Sequence, residues 1–394
     1  MVSLFFRRSL QWSSLLLCFA SFSPVTTATR IRSLLNFLTL PPIFRLKLGQ
    51  LKELRRDCEN FSRGACIWEA DIKEGYELAN CIFTAIAKGS KDQTKSQIIW
   101  LPNVDSLHIL EGLINVISEN SVILGGVQAK LSSWPQVPTT QLELVWNDQI
   151  QENEPNSSAE QIQNAVSETE GWVVNTLCRL KLCPHTSSLQ RGAVGLELAN
   201  VKEGPVIVRH AQSISMLSST CRAATTAAAF WENVSMMAKT DESDVSTILL
   251  VAPASYDNNF LAFASLCDTL IEPSVKATGA DSIVGRAWFH PNYDAALIGH
   301  ERILPGHALP ASFVSGFIDK LGVDSQTKLT YSDIALANNA VRWTPHATIN
   351  LLRRSQLHAA KQLEAQLANK KPNAVYVKNV IRIIADGVLL RSKK

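Results

Sequence analysis

Side chains able to act on a small molecule collect where three apolar runs of the sequence end. The run "GRAWFHPNYDAALIG" (285–299) alternates like a strand and then meets His290, Pro291, Asn292, Tyr293 and Asp294. "STILLVAP" (246–253) leads to Tyr256 and Asp257, and "GPVIVRH" (204–210) ends on Arg209 and His210. An imidazole beside phenols and carboxylates is the material of general acid–base catalysis. His290 is the candidate acid/base, Tyr293 and Asp294 are candidates to orient it, and Tyr256 and Asp257 to line the substrate. Arg342 and Arg353 offer the planar forks that grip a carboxylate or phosphate, so the expected function is a soluble organellar enzyme acting on a small anion at this rim, with a non-catalytic small-molecule-binding or protein-assembly module as the alternative.

A second candidate is Cys183 in Cys183-Pro184-His185, a thiol two residues from a base. Its place after the end of a helical segment disfavours a thiolate, although Arg179, Lys181 and His185 act the other way. A buried structural thiol stands against the nucleophile. His290, His300 and His307 match no compact metal-ligand set, nor do Cys178, Cys183 and His185. No metal and no cofactor is expected. Glycine-rich nucleotide loops, GxSxG, HExxH and CxxC are all missing, which removes dinucleotide, P-loop, serine-hydrolase, zincin and thioredoxin chemistry. No basic stripe interleaved with aromatics argues for nucleic acid.

The elements that must position these groups read as α/β. In the C-terminal part, "EGWVVNTLCRLKLC" is an amphipathic helix stopped by Pro184. "GAVGLELANV" and "GPVIVRH" are strand-like, and "MLSSTCRAATTAAAFWENVSMMAK" is a long helix. The strand "STILLVAP", the helix "NFLAFASLCDTLIEPSVKATG" and the strand ending in "WFHP" follow. This alternation predicts a small, mainly parallel sheet flanked by helices, with ligands at the carboxyl ends of its strands. Thr344 or Pro345 is expected to start a further helix with Ile349, Leu352, Leu363 and Leu367 on its apolar stripe, which would bring Arg353 to the same rim. A smaller α/β domain precedes, with a helix over "EGYELANCIFTAIAKG", a strand in "SQIIWLP", a helix over "DSLHILEGLINVISEN" and the strand pair "SVILGGVQAKL" and "TTQLELVW". His108 reads as a half-buried structural histidine.

Length and composition set the frame. With 394 residues, 46% hydrophobic and 19% charged, the chain is globular and long enough for two domains. No acidic residue precedes Glu53, while Arg7 and Arg8 introduce the short apolar run "SLLLCFASF", and a basic, hydroxylated stretch follows it. Residues 1–45 are expected to be a bipartite signal and transit peptide directing the chain to a plastid, with secretion or a mitochondrial destination as alternatives. No second long apolar segment suggests a membrane span in the mature protein. The remaining seven cysteines are sparse and odd in number, as reduced core thiols are. The interval from Lys130 to Arg179 carries seven acidic residues and no other Lys or Arg, which predicts an acidic flexible linker over 148–167 between domains at 46–147 and 168–389. Oligomeric state is not readable from these features.

Four stretches resemble elements of one family. "LKLCPH" is similar to a Leu-Cys-Pro-Phe element, "WFHPNY" to Phe-His-Pro-x-Tyr, and "TPHATINLLRR" to Pro-x-x-x-Leu-Leu-Arg, and "YVKNVIRI" looks like the family's closing Asn-centred helix. They occur in the order found in domain of unknown function 1415, over about residues 168–386. The resemblance falls on Cys183, Pro184, His290, Pro291, Tyr293, Arg342, Pro345, Arg353 and Asn379, and adds Asn379 to the candidate substrate-binding residues. It implies no activity. The sequence departs from the pattern at His185, where the family has Phe, at His346, where it has Tyr, and at Asn350, where it has His.

Overall fold

The computed structural model describes residues 65–68, 72–91, 95–101, 107–134, 137–147, 157–214, 221–297, 331–367 and 374–385. All belong to one compact unit, Lys47–Lys394. The targeting region expected at 1–45, residues 148–156 of the expected linker, His300 and His307 lie outside the described residues. The protein is mixed α/β, built around two four-stranded sheets.

The first sheet has the order β1-β2-β4-β3, from β1 (Ala65–Trp68), β2 (Ser96–Leu101), β3 (Val127–Trp134) and β4 (Val137–Trp146). Helices α1 (Gly75–Lys91) and α2 (Leu107–Glu119) follow β1 and β2. The strand expected over "SVILGGVQAKL" begins later than its apolar residues suggest, because residues 121–125 form turns and Gly125 and Gly126 adopt positive φ.

The second sheet has the order β7-β8-β10-β9, from β7 (Val206–His210), β8 (Thr247–Val251), β9 (Val284–Phe289) and β10 (Thr348–Arg353). The residues of "STILLVAP" in β8 are buried throughout, as a strand covered on both faces requires. Strands β7 and β8 pair in parallel, and β10 pairs antiparallel with both β8 and β9. The sheet is therefore mixed, which corrects the expectation of a mainly parallel one. Three strands share a direction, and β10 runs against them from a central position.

That position also corrects the helix expected from Pro345. Residues 348–353 are extended, and helix α8 begins only at Arg354; α7 (Tyr331–Ala340) precedes β10, and α8 (Arg354–Leu367) and α9 (Ala374–Ala385) follow it. Ile349 and Leu352 have helical spacing, but the burial follows a period of two. Ile349 and Leu351 are fully buried in the core on one face, and Asn350 points to the other beside Leu249 and Ala287. Two ready hydrogen-bonding edges outweigh the propensity of a short segment.

One continuous apolar cluster contains Ile99 and Leu142 of the first sheet, Ile248 and Ile349 of the second, and helices between, including α1, α2 and α4 (Arg222–Lys239). Phe83 of α1 stacks on Trp231 of α4 with ring centroids 6.4 Å apart. The segments before and after the linker thus share a core. Residues 159–167, expected as the end of that linker, are instead the first turns of α3 (Ala159–Trp172). Ser158 caps it with Gln161 in a reciprocal capping box. Helix α3 runs on as a π-helix over Val173–Cys178 and covers the second face of the second sheet through Trp172, Val173, Val208 and Phe289. "GAVGLELANV" is not a strand. After the two-residue β6 (Arg191–Gly192), paired to β5 (Thr186–Ser188), it makes turns and one 3-10 turn at Glu197–Ala199. Among the described residues no helix is long and apolar enough to cross a membrane.

Candidate functional site

Because β7, β8 and β9 run in the same direction, His210, the turn after Val251, and His290 share one edge of the second sheet. The amino end of β10 brings His346 to that edge as well. The groups expected there are present, but most are committed to holding the fold.

His290 is fully buried. Its Nε2 donates to the Tyr256 carbonyl at 2.8 Å, and its Nδ1 accepts from the Asn292 amide at 2.9 Å. This pairing suits a neutral ring, and burial between Phe260 and Phe263 pulls its pKa down. No ring nitrogen is left for a substrate. Tyr256 and Tyr293 are buried in the same aromatic cluster, and burial raises the Tyr293 hydroxyl's pKa. The Asp294 carboxylate accepts from Asn339 Nδ2 and the Ala296 amide, both at 3.0 Å, and so ties the strand end to α7. Arg342, fully buried, lies over the Tyr293 ring at 5.1 Å and donates to the Trp288 carbonyl at 3.3 Å.

The structure does not bring Arg353 to this rim. Leu352 pairs with Thr247, the first residue of β8, so Arg353 stands at the opposite edge, about 17 Å away along the strand. There it donates to the carbonyls of Val245, Met237, Thr240 and Asp241 at 2.6–3.0 Å and caps the carboxyl end of α4. A guanidinium spent on four carbonyls is a structural cap.

Asp257 does keep polar company at the rim. Its Oδ1 accepts from the Ala347 amide at 2.7 Å, and its Oδ2 lies 2.7 Å from His346 Nδ1. His346 Nε2 lies 3.0 Å from Glu168 Oε2, on exposed α3 surface. Carboxylates only accept, so both ring nitrogens donate, and the Asp257 hydrogen bond foremost raises the His346 pKa. His210 is nearly fully buried, and desolvation, then the neighbouring His346 charge, pushes its pKa down to about 4. The residues read from sequence alone miss Glu168 as a partner, since a carboxylate on an exposed helix carries no local signal. His346 entered only as a departure from a family pattern.

The other face of the sheet holds a cavity of about 170 Å³. Val173 and Leu177 of the π-turn, Val206, Leu249 and Phe289 of the sheet, and Leu357 and Ala360 of α8 give it mostly apolar walls, with Lys361 of α8 also in the lining. Gly285 lets α8 come close: a Cβ there would stand 2.0 Å from a Leu357 methyl. The Leu182–Thr186 loop forms one side and is pinned from several directions. Asn379 Nδ2 donates to the Leu182 carbonyl at 2.8 Å, and Arg382 to that of Lys181, a residue with φ of 51°. Asn379 is thus a clamp behind the cavity wall, not one of its lining residues. His185 Nδ1 donates to the Val194 carbonyl at 3.0 Å, and Thr186 Oγ1 donates to Cys183 Sγ at 3.4 Å. Burial pushes the Cys183 thiol pKa up, which opposes a nucleophilic role. Cys178, Cys183 and Cys267 are free thiols.

Asn350 of β10 belongs to the cavity lining and is 7% exposed. Its Oδ1 is enclosed and has no hydrogen-bond partner among the described residues. Gln356, the other amide of the lining, is satisfied by Ser246 Oγ at 3.1 Å. Among the described residues, no three His, Cys, Asp or Glu side chains converge as metal ligands.

Residues 164–299 match the model of a family described as "Protein of unknown function (DUF1415)". The match includes the Cys183 loop and the strand ending at His290, and stops before β10. No curated protein and no solved structure matches the chain.

Proposed function

We propose that the protein binds a small, mainly apolar molecule in the cavity between the second sheet, the π-turn and α8. The observation that carries this reading is the cavity itself: about 170 Å³ with aliphatic and aromatic walls, next to a preorganised loop. Binding sites are concave, mostly apolar and equipped with few polar groups, and this one fits that description. π-Turns such as Val173–Cys178 recur at functional sites.

An enzyme acting on a small anion at the sheet rim is supported less well. The imidazole expected as acid/base is bonded at both nitrogens, and Arg353, one of the two guanidiniums expected to hold the anion, caps a helix elsewhere.

The test is toluene binding, followed by thermal shift and by NMR. Toluene should raise the melting temperature of the wild-type protein by mass action, and Ala360→Phe, which fills the cavity, should abolish the shift. An unchanged melting temperature and unchanged spectra at saturating toluene would overturn the proposal.

A further inference from the structure

We infer that the ligand of this cavity is an apolar monocarboxylate: a single ring or short branched chain fills the cavity, and its carboxylate meets the Lys361 ammonium at the mouth. The inference rests on the cavity reading and adds the charge of its occupant.

Size comes first. An apolar protein cavity of about 150 Å³ takes up benzene, so a cavity of about 170 Å³ holds one six-membered ring with a small substituent. Val173, Leu177, Leu249, Phe289 and Leu357 offer that ring apolar contacts.

Charge comes second, and α8 decides it. Ala360 and Lys361 follow Leu357 by three and four residues, so the three share the helix face that lines the cavity. Leu357 and Ala360 supply apolar wall. Lys361 is exposed although it borders the same space. A lysine so placed lays its stem along the apolar wall and keeps its ammonium in water. Among the described lining residues it is the one Lys, Arg, Asp or Glu, and it has no ion pair among the described residues. A cleft with low-dielectric walls and charge of one sign concentrates ligands of the opposite sign.

The kind of anion comes third. An ammonium is a compact point charge, and one such charge balances one carboxylate. A doubly charged phosphate would leave half its charge facing apolar wall. At the mouth the carboxylate also keeps part of its water, so the ring is desolvated while the ion is not.

Benzoate, benzamide and benzamidinium share one shape and one heavy-atom count and differ in charge. Their affinities are measured by calorimetry or NMR at low salt on the wild type and two variants. Lys361→Met keeps the stem and drops the charge; Lys361→Glu reverses it. Lys361 is exposed, so neither substitution disturbs the core. The wild type should bind benzoate tightest and benzamidinium weakest, with the gap narrowing as salt is added. Lys361→Met should weaken benzoate about fivefold, the upper range for an exposed ion pair, and leave toluene within about twofold. Lys361→Glu should invert the order. Benzoate no tighter than benzamide in the wild type, an order that Lys361→Glu leaves unchanged, or benzoate binding that survives Ala360→Phe would overturn the inference, with the cavity reading still standing on toluene. No binding of toluene or of any of the three to the wild type would overturn both.

Discussion

The rim of the second sheet and the cavity on its face are opposites in how they treat polar groups. At the rim, His290 spends both nitrogens and the Asp257 and Asp294 carboxylates are each held by two donors. In the cavity the walls are mostly apolar, and among the described residues Asn350 Oδ1, buried in the β10 wall, has no hydrogen-bond partner. The rim is conspicuous in sequence because polar residues cluster there. Clustered polar residues at strand ends also serve to close turns and cap helices, and here they do so.

The sharpest way to break this comparison is Arg353→Ala. If Arg353 is a cap, its loss should destabilise the protein by roughly 3 kcal/mol in urea unfolding, the upper range for hydrogen bonds to a charged group, with toluene affinity changed less than about twofold. Weakened binding of an anion with stability intact would return Arg353 to a site.

His290→Ala should come next, with a stability loss of about 2 kcal/mol, because it empties a buried ring's place and strands the Tyr256 carbonyl and Asn292 amide. A stability-neutral His290→Ala that abolishes ligand binding would mean that the rim is the site after all.

The smallest effect concerns His346, whose outer partner Glu168 is largely exposed. Its folded pKa is raised, foremost by Asp257, so its stabilising contribution is complete below the unfolded value of about 6.5 and fades as pH rises through the folded value. His346→Gln should flatten the decline in stability on the alkaline side of pH 6.5, a change of about 1 kcal/mol for a partly buried Asp257–His346 pair with an exposed outer partner. The acid-side loss, which belongs to His210 with its pKa near 4, should persist. A wild-type profile that is flat between pH 6.5 and 8.5 would dissolve the Asp257–His346–Glu168 bridge as an energetic unit.

Sequence alone determined the elements whose signal is local. "STILLVAP" is apolar at every position and became the fully buried β8, and the long alanine-rich stretch became α4. The strands before and after the segment 254–283 run in the same direction, as a crossover of that length requires, and His-Pro-Asn-Tyr-Asp follows the strand end at the rim. Tertiary structure alone decided the rest. Ile349, Leu352 and Arg353 satisfy a helical spacing as well as an extended one, and only the gap between β8 and β9 made the segment a strand. That choice reversed the chain, carried Arg353 to the far edge of the sheet and turned Asn350 toward the cavity. The cavity has no local signature at all, since its walls come from residues 173–206, 247–289 and 341–361. An unfilled volume is a property of how packed elements fail to meet, and no run of residues encodes it by itself.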